Sequence, residues 1–293
     1  LRRSRAAIEG AAAALEGRHE AALQALQSET YNGDPEIALW RVYAAAGAER
    51  HETVGQEWER GRDALASLPV PLRHTLGRKI ATSLAQHGDP GKARDLLDVL
   101  RPLAQDAPSK AELQLLRGVA AARSKRPEDA DAPLLAAAED GDANTRVRAA
   151  FVRTVLQHER GELDAAAAAD ELAVQRRHWA GHAWEARMLR HLANLQGLGG
   201  DPLAAFATSL EFAERDKVEG RTETVARLKD LLRAAGEGRV AAVTAAAVLG
   251  THGRLFDGDP QAPELRRLLA LRVAQAGLPG AAEELLREAG SAQ

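Results

Sequence analysis

Glycine, proline and aspartate interrupt this sequence at short intervals, and these turn-forming residues limit the possible folds more than any other feature. Between the interruptions lie segments of roughly 12 to 18 residues, the length of an ordinary globular helix. The segments are rich in Ala, Leu, Arg and Glu, which favour the α-helix, and no stretch alternates polar and apolar residues as a strand would. The sequence therefore predicts an all-α fold of about fifteen or sixteen helices, joined by short connections into antiparallel hairpins.

The tripeptide Gly-Asp-Pro occurs four times among these interruptions, with its glycine at positions 33, 88, 200 and 258. It could be a ligand loop that is used repeatedly, or it could separate helices. The glycines are 55, 112 and 58 residues apart and their surroundings differ, whereas a repeated ligand loop would keep its neighbours. We predict that each glycine closes one helix, each aspartate caps the next, and each proline takes the first helical position.

A second pattern recurs within the predicted hairpins: a glycine, an alanine five positions later, and an apolar residue four positions after that. Three stretches follow the whole pattern: Gly17, Ala22 and Leu26; Gly88, Ala93 and Leu97; Gly277, Ala282 and Leu286. Two keep only the glycine and the alanine: Gly161 with Ala166, and Gly200 with Ala205. We expect the glycine to end the first helix in the left-handed conformation, the alanine to let the helix axes approach, and the leucine to fill the groove between them.

This pattern resembles the tetratricopeptide repeat, whose hairpins carry a small residue in the first helix, a glycine near the turn and an alanine after it. Residues 77–108 match best, although the consensus tryptophan and tyrosine of the first helix are absent. The matching residues are Ala81, Leu84, Gly88, Ala93, Leu97, Leu100 and Pro108. The resemblance implies a right-handed superhelical array (an α-solenoid) of degenerate tetratricopeptide-like hairpins. It also implies one domain over residues 1–293, with about seven to eight hairpins that bury their apolar stripes against their neighbours.

Two segments, 176–216 and 258–286, also resemble large tetratricopeptide-type proteins of alphaproteobacteria, which occur in a flagellar or cell-envelope context. In the first segment Trp179, Gly181 and Glu185 match, whereas Ala180 and His182 replace the usual arginine and aspartate. The resemblance implies a periplasmic or envelope-associated protein, with a cytoplasmic one as the alternative.

Composition removes several classes of function. The net charge of −3 provides no general attraction to nucleic acid or to an anionic membrane, and aromatic residues, at 3%, are too few for base-stacking platforms. The absence of cysteine excludes disulfides, thiolate metal sites and cysteine nucleophiles. No apolar run approaches the roughly 20 residues that span a bilayer. We predict no nucleic-acid partner, no membrane insertion of this segment and no cofactor.

Three histidines form the pattern most similar to a metal site, because His178 and His182 are four residues apart and His191 follows. Two histidines at this spacing on one helical face can bind zinc. However, Gly181 indicates a helix boundary between them, and Trp179 stands where a zinc-protease motif needs glutamate. We therefore predict no metal site and no enzyme. A helical enzyme with a cryptic site near His178 and His182 is the less favoured alternative.

Arginines cluster in segments 143–158 and 183–196, which are predicted first helices of hairpins. In arrays of this kind the first helices line the concave surface. The candidate residues for binding a partner are Arg148, Arg153, Arg187, Arg190 and Trp184. Their guanidinium groups can bind carboxylates with two parallel hydrogen bonds, and the indole can anchor an apolar group. They could instead be solvated helix faces that pair locally with acids, and the tryptophan could belong to the core.

From these features we predict a non-catalytic scaffold that binds a protein or peptide partner in a concave groove, as part of a larger envelope or motility-related protein. The alternative is an architectural array that associates with itself through its end hairpins and holds no ligand in a groove.

Overall fold

The structure, a computed structural model, describes residues 2–27, 33–179 and 184–291. These residues form sixteen α-helices, and no strand occurs among them. The all-α class and the number of helices predicted from the sequence are therefore confirmed. The chain is divided into two compact units, Leu1–Leu156 and Gln157–Gln293.

The first unit is built from consecutive helix pairs. Its helices are α1 (Arg2–Leu15), α2 (His19–Leu26), α3 (Pro35–Gly47), α4 (His51–Leu65), α5 (Val70–Gln86), α6 (Pro90–Leu100), α7 (Ala107–Ala122), α8 (Asp131–Asp140) and α9 (Ala143–Glu159), the last of which runs on into the second unit. The pairs are α1 with α2, α3 with α4, α5 with α6, and α7 with α8. The first helix of each pair also packs against the first helix of the next, from α1 through α3 and α5 to α7. This side-by-side row is what a stack of hairpins requires.

The second unit continues with the same kind of pairs. Its helices are α10 (Ala165–Gln175), α11 (Glu185–Leu198), α12 (Pro202–Arg215), α13 (Lys217–Gly236), α14 (Ala242–His252), α15 (Ala262–Gln275) and α16 (Pro279–Ser291). The helix α11 packs on α12 and α15 packs on α16, while α13 packs against α12, α14 and α15. A 3-10 turn at Gly253–Phe256 separates α14 from α15.

The Gly-Asp-Pro sites start helices at three of their four positions. The carboxylates of Asp34, Asp89 and Asp201 accept backbone N–H bonds from the first turns of α3, α6 and α12, and proline follows each in the first helical position. The fourth prediction was wrong. Asp259 accepts the N–H of Gln261 but lies in a turn, so that α15 begins only at Ala262.

The glycine and alanine pattern is also confirmed in part. The glycines at 17, 161, 200 and 277 are left-handed, whereas Gly88 is not: its N–H donates to the carbonyls of Ser83 and Leu84. The alanines at 22, 93, 205 and 282 are buried, as are Leu26 and Leu97. Two expectations were wrong. Ala166 is exposed, and Leu286 is 49% exposed because Leu285, one residue and 100° earlier, takes the buried place on α16.

Two glycines within helices allow a closer approach than the alanine pattern predicts. A Cβ on Gly61 of α4 would lie 2.6 Å from the backbone nitrogen of Leu39 in α3. A Cβ on Gly220 of α13 would lie 2.4 Å from the α-carbon of Ala213 in α12. At both places one helix backbone rests directly on another, so no side chain larger than hydrogen fits without moving a helix.

Most of the side-chain hydrogen bonds between separate helices join residues that are 28 to 39 positions apart in the sequence. In the first unit Arg78 of α5 donates to Glu112 of α7, 34 residues later. In the second unit Arg227 donates to Asn194, at a separation of 33 residues, and Arg272 donates to the carbonyl of Gly236, at 36. These bonds therefore connect a helix with its counterpart about one hairpin away.

Candidate functional site

The helix α9 carries two of the predicted binding arginines, and it covers the segment predicted for it. Arg153 is exposed, whereas Arg148 is half-buried. Near Arg148, the first turn of α9 is capped by Asp142, whose carboxylate accepts the N–H of Thr145 at 2.7 Å. Hydrogen bonds from Thr145 lower the pKa of Asp142, with smaller contributions from Arg148 and Arg146. Arg153 is therefore the residue of this pair whose side chain faces solvent.

The helix α11 carries the other three predicted residues. Trp184 lies immediately before the helix and is half-buried, and the guanidinium of Arg187 lies 5.2 Å from the centre of its ring. This is cation–π geometry, which holds the arginine in one orientation. Arg190 donates to Glu219 of α13 at 2.7 Å, a pairing between separate helices rather than the local one expected along a single helix. The structure thus brings Trp184 and Arg187 together, while Arg190 belongs to a contact between helices.

The three other tryptophans belong to the core. Trp40, Trp58 and Trp179 are 7%, 5% and 1% exposed, respectively. Trp40 makes an edge-on contact with Tyr43 on the same helix. These three side chains are therefore removed from solvent.

The histidines of the metal-like pattern lie in different surroundings. His178 is exposed in a short 3-10 turn and its Nε2 accepts a hydrogen bond from Arg177. His182 and Gly181 lie outside the described residues. His191 is partly buried on α11, where burial lowers its pKa to about 4, with smaller effects from Arg187 and Arg190. Within the described ranges, no three His, Asp or Glu side chains are grouped to hold a metal ion, and no helix is long and apolar enough to cross a membrane.

A polar cavity of about 1120 Å³ lies in the second unit beside the turn from α14 to α15. We call it the Arg266 cavity. Its walls are the end of α14, the 3-10 turn, the loop that holds the fourth Gly-Asp-Pro, the start of α15, and Glu288 of α16. The charged residues that line it are Arg254, Arg266, Arg267, Asp257, Asp259, Glu264 and Glu288.

Arg266 is the buried member of this set, at 7% exposed, while five of the other six charged residues are exposed. Its Nε lies 3.4 Å from Oε2 of Glu288 and donates no hydrogen bond to any residue that the structure describes. Its Nη2 points toward the 3-10 turn, where a Cβ on Gly253 would lie 3.8 Å away. Asp259, elsewhere in the wall, is bound by Lys229 of α13 at 2.5 Å.

This site was not predicted from the sequence, although the sequence holds a signal for it. On α15 the buried positions are Ala262, Leu265, Arg266, Leu269, Ala270 and Val273. This is the i, i+3, i+4 spacing of a helix face that packs on a core. An arginine within such an apolar series is unusual, because charged residues are rarely buried without a partner.

No family model and no curated protein matches the sequence. A function is therefore inferred from the geometry of the side chains. The surface of α11 offers an arginine held against an aromatic ring, and the Arg266 cavity offers a buried guanidinium. Both groups are donors suited to carboxylates.

Proposed function

We propose that this protein is a non-catalytic scaffold of tetratricopeptide-like hairpins that binds a protein or peptide partner. The observation that carries the proposal is the separation of 28 to 39 residues between the partners of most hydrogen bonds that connect helices. In a repeat protein each hairpin contacts only its neighbours, so contacts recur at about the repeat length. The tetratricopeptide repeat has a length of about 34 residues.

The row of first helices supports the same proposal. The packing from α1 through α3 and α5 to α7 places equivalent helices side by side, which is the arrangement within an α-solenoid. We propose a right-handed superhelix on this basis. Such arrays bind partners on extended surfaces and do not need a deep catalytic pocket.

The proposed binding surface consists of Arg187 and Trp184 on α11. Arg187 is held over the indole, so it loses little side-chain freedom when it binds a carboxylate. Arginine and tryptophan are also the residue types that contribute most to protein interfaces. The partner that suits this surface is an acidic segment of a protein or peptide. Arg153, which is exposed on α9, is a separate candidate contact for such a segment.

Site-specific crosslinking tests this surface. A photoreactive amino acid replaces Arg190, which is exposed one helical turn after Arg187, and in a control it replaces Val174 of α10, which is 66% exposed. We expect irradiation of cells of the native host to crosslink a defined protein at position 190 but not at 174. An added Arg187→Glu substitution should weaken the crosslink, whereas Arg239→Glu, at an exposed residue paired locally with Glu237, should not.

Other results would favour the alternatives. Equal crosslinking at both positions would refute the proposed surface. Growth of the particle size with concentration, with no partner recovered, would favour a self-associating architectural array. Stoichiometric zinc by elemental analysis would favour an enzyme with a site near His178 and His182.

We further propose that this chain is part of a larger envelope or motility-related protein. The basis is only the resemblance of residues 176–216 and 258–286 to large tetratricopeptide-type proteins of alphaproteobacteria. Fractionation of host cells, with detection by antibody, tests this location. Recovery in the cytoplasmic fraction would refute it.

A further inference from the structure

The Nε–H group of Arg266 is buried and donates to no acceptor among the described residues. A guanidinium has five N–H donors and no acceptor, and removing it from water without hydrogen bonds is costly. Among the residues that the structure describes, the carboxylate close to Arg266 is that of Glu288, 3.4 Å from Nε, whereas hydrogen-bonded ion pairs have distances of about 2.7–2.9 Å. The Glu288 side chain is also 51% exposed, so water competes for it. Glu288 is therefore a poor acceptor for the Nε–H of Arg266, which lines the cavity.

We propose that the Arg266 cavity binds a carboxylate group, which accepts hydrogen bonds from the guanidinium of Arg266. The cavity, at about 1120 Å³, is slightly larger than the range of roughly 300–1,000 Å³ that is typical of small-molecule sites. No residue of α11 lines it, and it does not depend on the surface proposed there for the partner.

The charges of the cavity walls favour a carboxylate over a phosphate. Lys229 neutralises Asp259, and Arg254 and Arg267 balance Asp257 and Glu264. What then remains is Arg266 with Glu288, whose carboxylate competes for the guanidinium but stays in the wall. A bound carboxylate adds a single negative charge to this balance. A phosphate monoester carries about −1.5 to −2 at pH 7, and its extra charge would be repelled by the acids of the wall.

The carboxylate can come from a free small molecule or from an acidic residue of a peptide, and two probes distinguish these sources. The first probe is sodium acetate. The second is an acetylated and amidated Ala-Asp-Ala peptide, with Ala-Asn-Ala as its uncharged control. Binding is followed in the intact chain through the ¹H–¹⁵N signals of the arginine Nε–H groups, at constant ionic strength.

We expect a saturable shift of the Arg266 Nε–H signal with at least one carboxylate probe, with a Kd in the range of roughly 1–10 mM. Saturation by both probes indicates a general carboxylate site, and saturation by the aspartate peptide alone indicates a peptide site. Arg266→Gln should abolish the binding. Arg267→Gln, at the exposed neighbouring residue, should change the Kd by less than about threefold, because screened surface charges contribute little.

Glu288→Gln separates a binding site from a purely structural ion pair and is informative even where Arg266→Gln fails to fold. If Glu288 competes with the ligand for Arg266, its neutralisation should lower the Kd about fivefold, since charge-assisted hydrogen bonds are stronger than neutral ones. An unchanged or higher Kd in Glu288→Gln would refute this competition. Absence of saturation by both probes up to about 50 mM, in the wild type and in Glu288→Gln, would overturn the proposal. Tighter binding of inorganic phosphate would overturn the assignment to carboxylates.

Discussion

Two glycines on α4 provide a matched pair for testing how closely α3 and α4 pack. Gly55 and Gly61 lie six residues apart on the same helix. A Cβ on Gly55 would have no described residue within 4 Å. A Cβ on Gly61 would lie 2.6 Å from the nitrogen and 2.7 Å from the α-carbon of Leu39. The same substitution by alanine therefore tests the helix alone at one position and the contact between helices at the other.

The two substitutions should change the free energy of unfolding in opposite directions. Alanine is favoured over glycine within a helix by about 1 kcal/mol, so Gly55→Ala should raise the free energy of unfolding by up to that amount. In Gly61→Ala the methyl group meets backbone, which cannot rotate away, so α3 and α4 must separate by roughly 1 Å to restore ordinary contact. Overpacking of this kind costs about 1–3 kcal/mol. A contact with backbone suits the upper limit, a cost of about 3 kcal/mol. After the gain of about 1 kcal/mol from replacing glycine in the helix, Gly61→Ala should lose about 2 kcal/mol. The free energies of unfolding of the two variants should therefore differ by about 3 kcal/mol.

Urea unfolding followed by circular dichroism at 222 nm measures this difference through the midpoint of the first transition. Trp58 is buried one helical turn before Gly61 and adds a local signal through tryptophan fluorescence. Equal midpoints for Gly61→Ala and Gly55→Ala would refute the close approach of the two helices. A lower midpoint in both variants would instead show that the α4 helix itself does not tolerate alanine.

Three further predictions concern a partly buried histidine, a helix cap and the dependence of hairpins on their neighbours. The pKa of His191 is about 4 in the folded protein and about 6.5 in the unfolded chain, so the unfolded chain binds more protons between these two pH values. The contribution of His191 to the free energy of unfolding is therefore present above pH 6.5 and is lost as the pH falls toward 4. From pH 7 to pH 5 the loss should be up to about 2 kcal/mol, and His191→Gln should remove this part of the pH dependence in urea unfolding. Asp89→Ala should lower the free energy of unfolding by about 1 kcal/mol, because its carboxylate accepts two N–H groups at the start of α6; an unchanged urea midpoint would contradict the cap. A peptide of residues 70–100, which holds α5 and α6 alone, should show little helix by circular dichroism, whereas stable helical content would contradict the dependence of hairpins on their neighbours.

The all-α fold could be predicted from the sequence because its signals are local. Helix-forming residues, the absence of alternation, and turn residues act within a few positions of one another. For the same reason the aspartate caps at 34, 89 and 201 were predicted correctly: an N-cap needs only its own carboxylate and the N–H groups two or three residues later. The prediction of a helix start at the fourth site was wrong because the turn around Asp259, rather than the Gly-Asp-Pro tripeptide alone, decides where α15 begins.

The surroundings of the predicted binding residues depend on contacts that the sequence alone does not show. The predicted arginines are on the expected helices, but only the structure shows that Arg190 donates to Glu219, 29 residues later, and that Arg187 lies over Trp184. The Arg266 cavity was missed because its walls come from α14, α15 and α16, and no local pattern brings their charged groups together.

By itself, the sequence determined that this chain forms helices, where α3, α6 and α12 begin, and which alanines are buried in four of the hairpins. Each of these results depends on the 3.6-residue period and on backbone groups near the helix ends. Tertiary structure decided which helix faces meet at Gly61 and Gly220, where a hydrogen atom is the largest group that fits. It also decided that Arg266 is buried while Arg267, its neighbour in the chain, is exposed, because the packing of α15 against α16 selects the face that is removed from water.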